Sequence, residues 1–144
     1  MPSINPYERD LMARAVALGE SGDAGTLPEL LQLAGHPLAQ VRRLAVSALG
    51  KLAPVAGTQP VVPTLARRLS DAHPQVRQYA IKALVAYGAA AEPALPDLHD
   101  IADCDAEKEY NRCDAARAIE AIRQAVRLAR EEAHTPCRRC RRQV

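Results

Sequence analysis

Small and apolar residues recur along this chain at helical spacing, and the pattern itself repeats. The stretch Val41-Arg42-Arg43-Leu44-Ala45-Val46-Ser47-Ala48-Leu49-Gly50 returns 35 residues later as Val76-Arg77-Gln78-Tyr79-Ala80-Ile81-Lys82-Ala83-Leu84-Val85. It returns again, at the same step, as Asn111-Arg112-Cys113-Asp114-Ala115-Ala116-Arg117-Ala118-Ile119-Glu120. Five columns persist: Arg42/Arg77/Arg112, Ala45/Ala80/Ala115, Ala48/Ala83/Ala118, Leu49/Leu84/Ile119 and, with a lapse at Asn111, Val41/Val76. A fixed period of this size predicts a solenoid of stacked units.

A second pattern precedes each copy, an apolar-Pro dipeptide followed by further apolar residues: Leu27-Pro28, Val62-Pro63 and Leu95-Pro96. Proline fits the first turn of a helix, where its missing N–H has no intrahelical partner. Each unit is therefore read as a helix A (near residues 27–34, 60–70 and 93–103) and a helix B (38–52, 74–87 and 107–132), joined at His36-Pro37 and His73-Pro74. Before them, Leu11, Ala15 and Leu18 form one stripe of a helix over Tyr7 to Gly19, with Gly19 suited to a C-terminal stop. Arg9, Met12, Ala15 and Val16 echo the later columns, as a degenerate terminal repeat would. The expected organisation is a repeat domain over residues 1–133, with a partial repeat at 7–19 and repeats near 26–52, 60–87 and 93–132, then a tail at 134–144. In the last helix Ile119, Ile122, Val126 and Ala129 continue one stripe, which suits either a cap on the stack or pairing with another chain.

The tetratricopeptide and ankyrin patterns do not fit: the chain has no Trp or Phe and no Thr-Pro-Leu-His. The motif Val-Arg-x-x-Ala-x-x-Ala-Leu, with proline early in helix A, resembles the HEAT family, most of all the short bacterial HEAT-like repeats also seen in phycobilin lyases. The resemblance spans roughly residues 26–127. It implies an all-α, right-handed α-solenoid of antiparallel helix pairs, and protein partners held on the concave face of the B helices. It also implies that Arg42, Arg77 and Arg112 brace neighbouring repeats. By spacing, Arg43, Ser47, Gln78, Lys82, Arg117 and Ala121 belong on or beside the B-helix face. Tyr79 and Tyr87 are its candidate amphipathic anchors, although Tyr79, in the column of Leu44, also suits the core.

Composition adds the kind of core and the place of the charge. Nearly half of the 144 residues are apolar, yet Phe and Trp are absent and Tyr occurs four times, so the core is built from Ala, Leu, Val and Ile. The net charge of +2 is uneven: the tail holds four arginines and no acid, leaving the body slightly acidic and without a general attraction for nucleic acid. No stretch reaches the ~20 apolar residues of a membrane span, and the N-terminus lacks a leader pattern, so a cytoplasmic protein with free or metal-bound cysteines is expected.

Candidate chemistry concentrates in that tail. Cys137 and Cys140 have the Cys-x-x-Cys spacing that zinc favours, His134 offers a third ligand, and Cys104 or Cys113 or a second chain can supply the fourth. A redox pair or an unstructured basic tail are the competing readings. Arg138, Arg139, Arg141 and Arg142 suit nucleic acid or an acidic partner, without interleaved aromatics to stack on bases. The run Asp97, Asp100, Asp103, Asp105, Glu107 and Glu109 reads as a solvated face with Asp103 or Asp105 capping the last helix, or as a docking patch for a basic partner. No phosphate loop or nucleophile motif is present, and His99-Asp100 is a single dipeptide, so no enzyme is expected. The expected function is a protein-interaction adaptor. The alternative is an accessory subunit that contacts nucleic acid or an acidic partner through the tail, with zinc as its one candidate cofactor. A bilin-lyase-like chaperone role rests on resemblance only, and a core without Phe or Trp speaks against it.

Overall fold

The first helix begins where the sequence supplies a cap. The Asn5 side chain accepts from the Glu8 amide at 2.8 Å while the Glu8 carboxylate accepts from the Asn5 amide at 3.0 Å. This reciprocal pair, with Pro6 at the first helical position, starts α1 (Pro6–Glu20). In this computed structural model, which describes residues 3–57 and 59–134, six more α-helices follow and, among the described residues, no strand. The A helices are α2 (Leu27–Leu33), α4 (Val61–Arg68) and α6 (Leu95–Asp103), and the B helices are α3 (Ala39–Lys51), α5 (Pro74–Ala86) and α7 (Glu109–His134). Pro28 and Pro96 sit in the first turns of their helices, as their missing N–H groups require. Short 3₁₀ turns at Ala53–Val55 and Gly88–Ala94 carry each B helix to the next A helix, and Gly88 makes the second turn possible with φ of 55°.

Two layers result. In one, α1, α3, α5 and α7 pack side by side in chain order; in the other, each short A helix lies against its own B helix. This is an α-solenoid. One apolar cluster runs its length, with Leu30, Leu49, Leu65, Leu84, Leu98 and Ile122 all fully buried. The column alanines Ala45, Ala80 and Ala115 are also fully buried, where small side chains let the layers close.

α1 occupies the place of a B helix, but not in the register its sequence suggested. Gly19 is no stop signal: the helix continues to Glu20, and Gly19 is buried against α3. A β-carbon there would stand 2.6 Å from Ala48 Cβ and 2.8 Å from Ala48 Cα. Gly50 meets Ala83 of α5 in the same manner, at 3.1 Å. The glycine contact therefore sets the register, and Val16, expected in the leucine column, is 36% exposed. Beyond the last unit the surface changes character. At the 35-residue step, Ile81 and Val85 of α5 correspond to Ala116 and Glu120 of α7, both exposed, so two branched apolar side chains give way to a small one and a charged one.

The column arginines tie one unit to the next. Arg42 donates from Nε and Nη2 to both oxygens of Asp71, at 2.7 and 2.9 Å, and from Nη1 to the carbonyls of His36 and Pro37. Arg77 repeats the arrangement on Glu107 at 2.6 and 2.8 Å, with Nη1 on the carbonyls of Asp71 and Ala72. Each guanidinium thus holds its own A–B turn and the acid of the following one. Among the described residues Arg112 reaches only the Ala102 carbonyl at 3.4 Å and the exposed Asp105 at 3.6 Å, within its own unit. Neither Asp103, the last residue of α6, nor Asp105 caps α7; it is Glu107 that accepts from the Lys108 amide, at 2.7 Å. Asn111, fully buried in place of the column valine, donates to the Pro74 carbonyl and to Glu107. Burial pushes both carboxyls up, but for Asp71 the bonds from Arg42 and the His73 amide outweigh it, and for Glu107 those from Arg77, the Lys108 amide and Asn111 do. Both sit below their ordinary values.

Two outcomes follow. Gly19→Ala gains up to ~1 kcal/mol of helix propensity but drives the new β-carbon into Ala48 of α3, so the net change in urea unfolding is a loss of about 1–3 kcal/mol. Arg77→Ala strands a buried carboxylate and costs about 2–4 kcal/mol, whereas Arg112→Ala costs under about 1. Because the folded acids bind protons less tightly than the unfolded ones, the stability they add is present above about pH 4 and is lost as pH falls below it; Arg77→Ala flattens that acid limb.

Candidate functional site

The exposed side of the B layer carries the residues that the column spacing singled out. Ser47, Lys82 and Arg117 share one column and sit on α3, α5 and α7 in turn, so a line through them crosses the three helices. Between α3 and α5 lies a shallow groove of about 250 Å³, floored by Gly50 and Ala83 and edged by Ser47, Lys51, Tyr79 and Lys82. Its floor is low because Gly50 has no side chain where the helices touch. Between α5 and α7 a second groove, of about 270 Å³, has Val85, Ala118 and Ala121 as its apolar floor and Lys82, Asp114 and Arg117 at its edge. Lys82 belongs to both and forms the ridge between them.

Arg43 joins this strip through Tyr79. The Arg43 guanidinium and the Lys82 ammonium each lie 5.7 Å from the centre of the Tyr79 ring, within the range where a cation is drawn to an aromatic face. Gln78 donates to Asp114 at 3.2 Å across α5 and α7, and Arg117 approaches the same carboxylate at 4.0 Å. Asp114 is the one acid among the described residues lining the two grooves, against the cations Lys51, Lys82 and Arg117, with Arg43 beside them. Arg43, Ser47, Gln78, Lys82 and Arg117 therefore come together on a single, mainly cationic strip.

Two further members escaped the sequence reading. Lys51 falls in the last turn of α3, where a lysine reads as an ordinary complement to the helix dipole. Asp114 stands in the third copy with no column to mark it, and its partner Gln78 lies in the preceding unit. One nominated anchor is something else. Tyr87 points inward, and its hydroxyl donates to the Leu49 carbonyl at 2.6 Å, closing an orphan acceptor at the end of α3. Burial pushes its pKa up to about 12. Tyr79 is half-buried as well, packed on the core, but its ring lies under the Arg43 and Lys82 cations of the strip.

The remaining candidates lie apart. His134 ends α7 with Nδ1 2.7 Å from the Arg130 carbonyl, while Cys137, Cys140, Arg138, Arg139, Arg141 and Arg142 lie outside the described residues. Cys104 and Cys113 are exposed, and among the described residues no group of three or more His, Cys, Asp or Glu is arranged to hold a metal ion. His36 accepts from the Leu38 amide in its turn, and His99 meets Arg123 at 3.0 Å. No helix among the described residues is long and apolar enough to cross a membrane.

Comparison with known families agrees with this geometry. Residues 26–56 and 61–90 each match the family model of the HEAT repeat, stretches that take in α2 with α3 and α4 with α5. Those two units are HEAT-like repeats. HEAT repeats generally mediate protein–protein interaction. No curated protein matches the chain.

The two tyrosines separate by experiment. Tyr87→Phe leaves the Leu49 carbonyl unpaired and lowers unfolding stability by about 1–2 kcal/mol, whereas Tyr79→Phe, which keeps ring and packing, changes it by under about 0.5. The raised pKa adds a second readout. The Tyr87 contribution is intact below pH 10, fades as pH rises toward 12, and is absent from Tyr87→Phe.

Proposed function

We propose that this chain is a non-catalytic adaptor that holds a protein partner on the exposed face of its B helices. The observation that carries the reading is the gathering of Arg43, Ser47, Tyr79, Lys82 and Arg117 into one strip on three successive helices. Tyr and Arg are the residues on which interface energy concentrates, because each joins a broad contact surface to directed hydrogen bonds. A rigid support fixes their spacing before a partner arrives, which lowers the entropy lost on binding. The grooves beside them are open and shallow, a form suited to side chains of another chain more than to an engulfed small molecule.

A photo-crosslinking amino acid placed at Ser47, on the strip, and at Gln32, exposed on the A layer, tests this in the producing cells. The adaptor reading expects discrete protein adducts from Ser47, few from Gln32, and loss of the Ser47 adducts when Tyr79 is also changed to Ala. Adducts from Gln32 instead would place the partner on the other layer. Adducts from neither position would remove the adaptor reading.

A further inference from the structure

The strip has a spacing as well as a charge, and together they define a ligand. On α3, Ser47 stands one turn from Arg43 and one turn from Lys51; on α5 the corresponding position is Lys82, and on α7 it is Arg117. Ser47, flanked by Arg43 and Lys51, and then the cations Lys82 and Arg117 therefore follow one another as three stations at the separation of neighbouring packed helices, about 8–10 Å. A peptide extended in the polyproline II conformation advances about 3.1 Å per residue with three residues per turn, so every third side chain faces the same way and one turn covers one separation. Between stations lie the small apolar floors, Gly50 with Ala83 and then Val85, Ala118 and Ala121. Resting on the reading of this face as the partner surface, we infer that the strip binds an extended acidic segment of a protein, running across the B helices with a carboxylate at every third residue and small aliphatic side chains between.

The charge favours this occupant. Cations outnumber acids along both grooves, and Asp114 is already engaged by Gln78 and Arg117. Lys82 and Arg117 are exposed, and among the described residues no ion pair occupies the Lys82 ammonium, which rests on the Tyr79 ring. An incoming carboxylate can therefore meet a charge without first displacing an internal acid there. Single-stranded nucleic acid fits less well: besides phosphate contacts it draws on aromatic faces open to stacking, and Tyr79 already holds two cations at its ring.

Fluorescence anisotropy on the full chain decides it, with two labelled peptides of identical composition. One has a glutamate at every third position among alanines and valines; the other has the same glutamates side by side. The spaced peptide is expected to bind, to weaken as salt rises, and to lose about tenfold in affinity on Lys82→Glu, with a smaller loss on Lys82→Gln. A peptide whose central glutamate is lysine should regain affinity on Lys82→Glu. Circular dichroism of each variant keeps loss of fold apart from loss of binding. Equal binding of the two peptides, no binding of either, or preferential binding of a single-stranded oligonucleotide that displaces the spaced peptide overturns the inference. Failure here beside protein adducts at Ser47 removes the acidic ligand but leaves the partner face standing; failure of both removes the face as well.

Discussion

The paired guanidinium–carboxylate contact between successive units is what the rest of the molecule depends on. Arg42 grips Asp71 and Arg77 grips Glu107 with two parallel N–H···O bonds, and in each pair the acid is almost wholly buried. Taking a carboxylate out of water is costly unless its lone pairs are satisfied, and here they are: the His73 amide completes Asp71, and the Lys108 amide and Asn111 complete Glu107. The same arginines close the carbonyls of their own A–B turns. One side chain therefore fixes two consecutive turns, and with them the rotation of each helix pair on the next.

Close contact between B helices supplies the rest of the order. Glycine on one side and alanine on the other at Gly19–Ala48 and Gly50–Ala83 bring the backbones together at the ends of α1 and α3. The A helices, of 7, 8 and 9 residues, lie each on its own partner. Continuity along the stack thus runs through the B layer, and that same layer displays Ser47, Lys82 and Arg117. The surface that carries the candidate site thus belongs to the layer whose helices pack directly on one another, which suits recognition by spacing.

The columns made the fold readable because each repeated identity answers to a repeated contact: alanine where helices cross, leucine in the core, arginine at the brace. What failed to repeat was harder to see. Asp71 and Glu107 differ in residue type and in distance from their arginines, so no column marks them. Gly19 read as a stop because glycine serves both helix ends and helix contacts, and only the neighbour Ala48 distinguishes the two. Tyr87 read as a surface anchor because its amphipathic side chain fits either place; the Leu49 carbonyl that holds it lies in the preceding unit. At the face the logic inverts. Arg43, Gln78 and Cys113 share a column and Ser47, Lys82 and Arg117 share another, and it is variation within the columns that makes the strip particular. Spacing located those positions, but their assembly with Tyr79 and Lys51 needed the geometry.

Because each brace joins an arginine to an acid of the following turn, the unit of sequence and the unit of cooperation do not coincide. A segment excised at the repeat boundary, between Gly57 and Gln59, would keep Arg42 and discard Asp71; the remainder would bury an acid with no arginine from α3 to meet it. Either fragment is incomplete in charge although each is whole in helices. The stack is thus stitched in overlap, like courses of brick whose joints are staggered, and stability passes along it from neighbour to neighbour. A chain built in this way can be varied freely on its outer face, residue by residue, while rearrangement of whole repeats is constrained to exchanges that carry an arginine and the next unit's acid together.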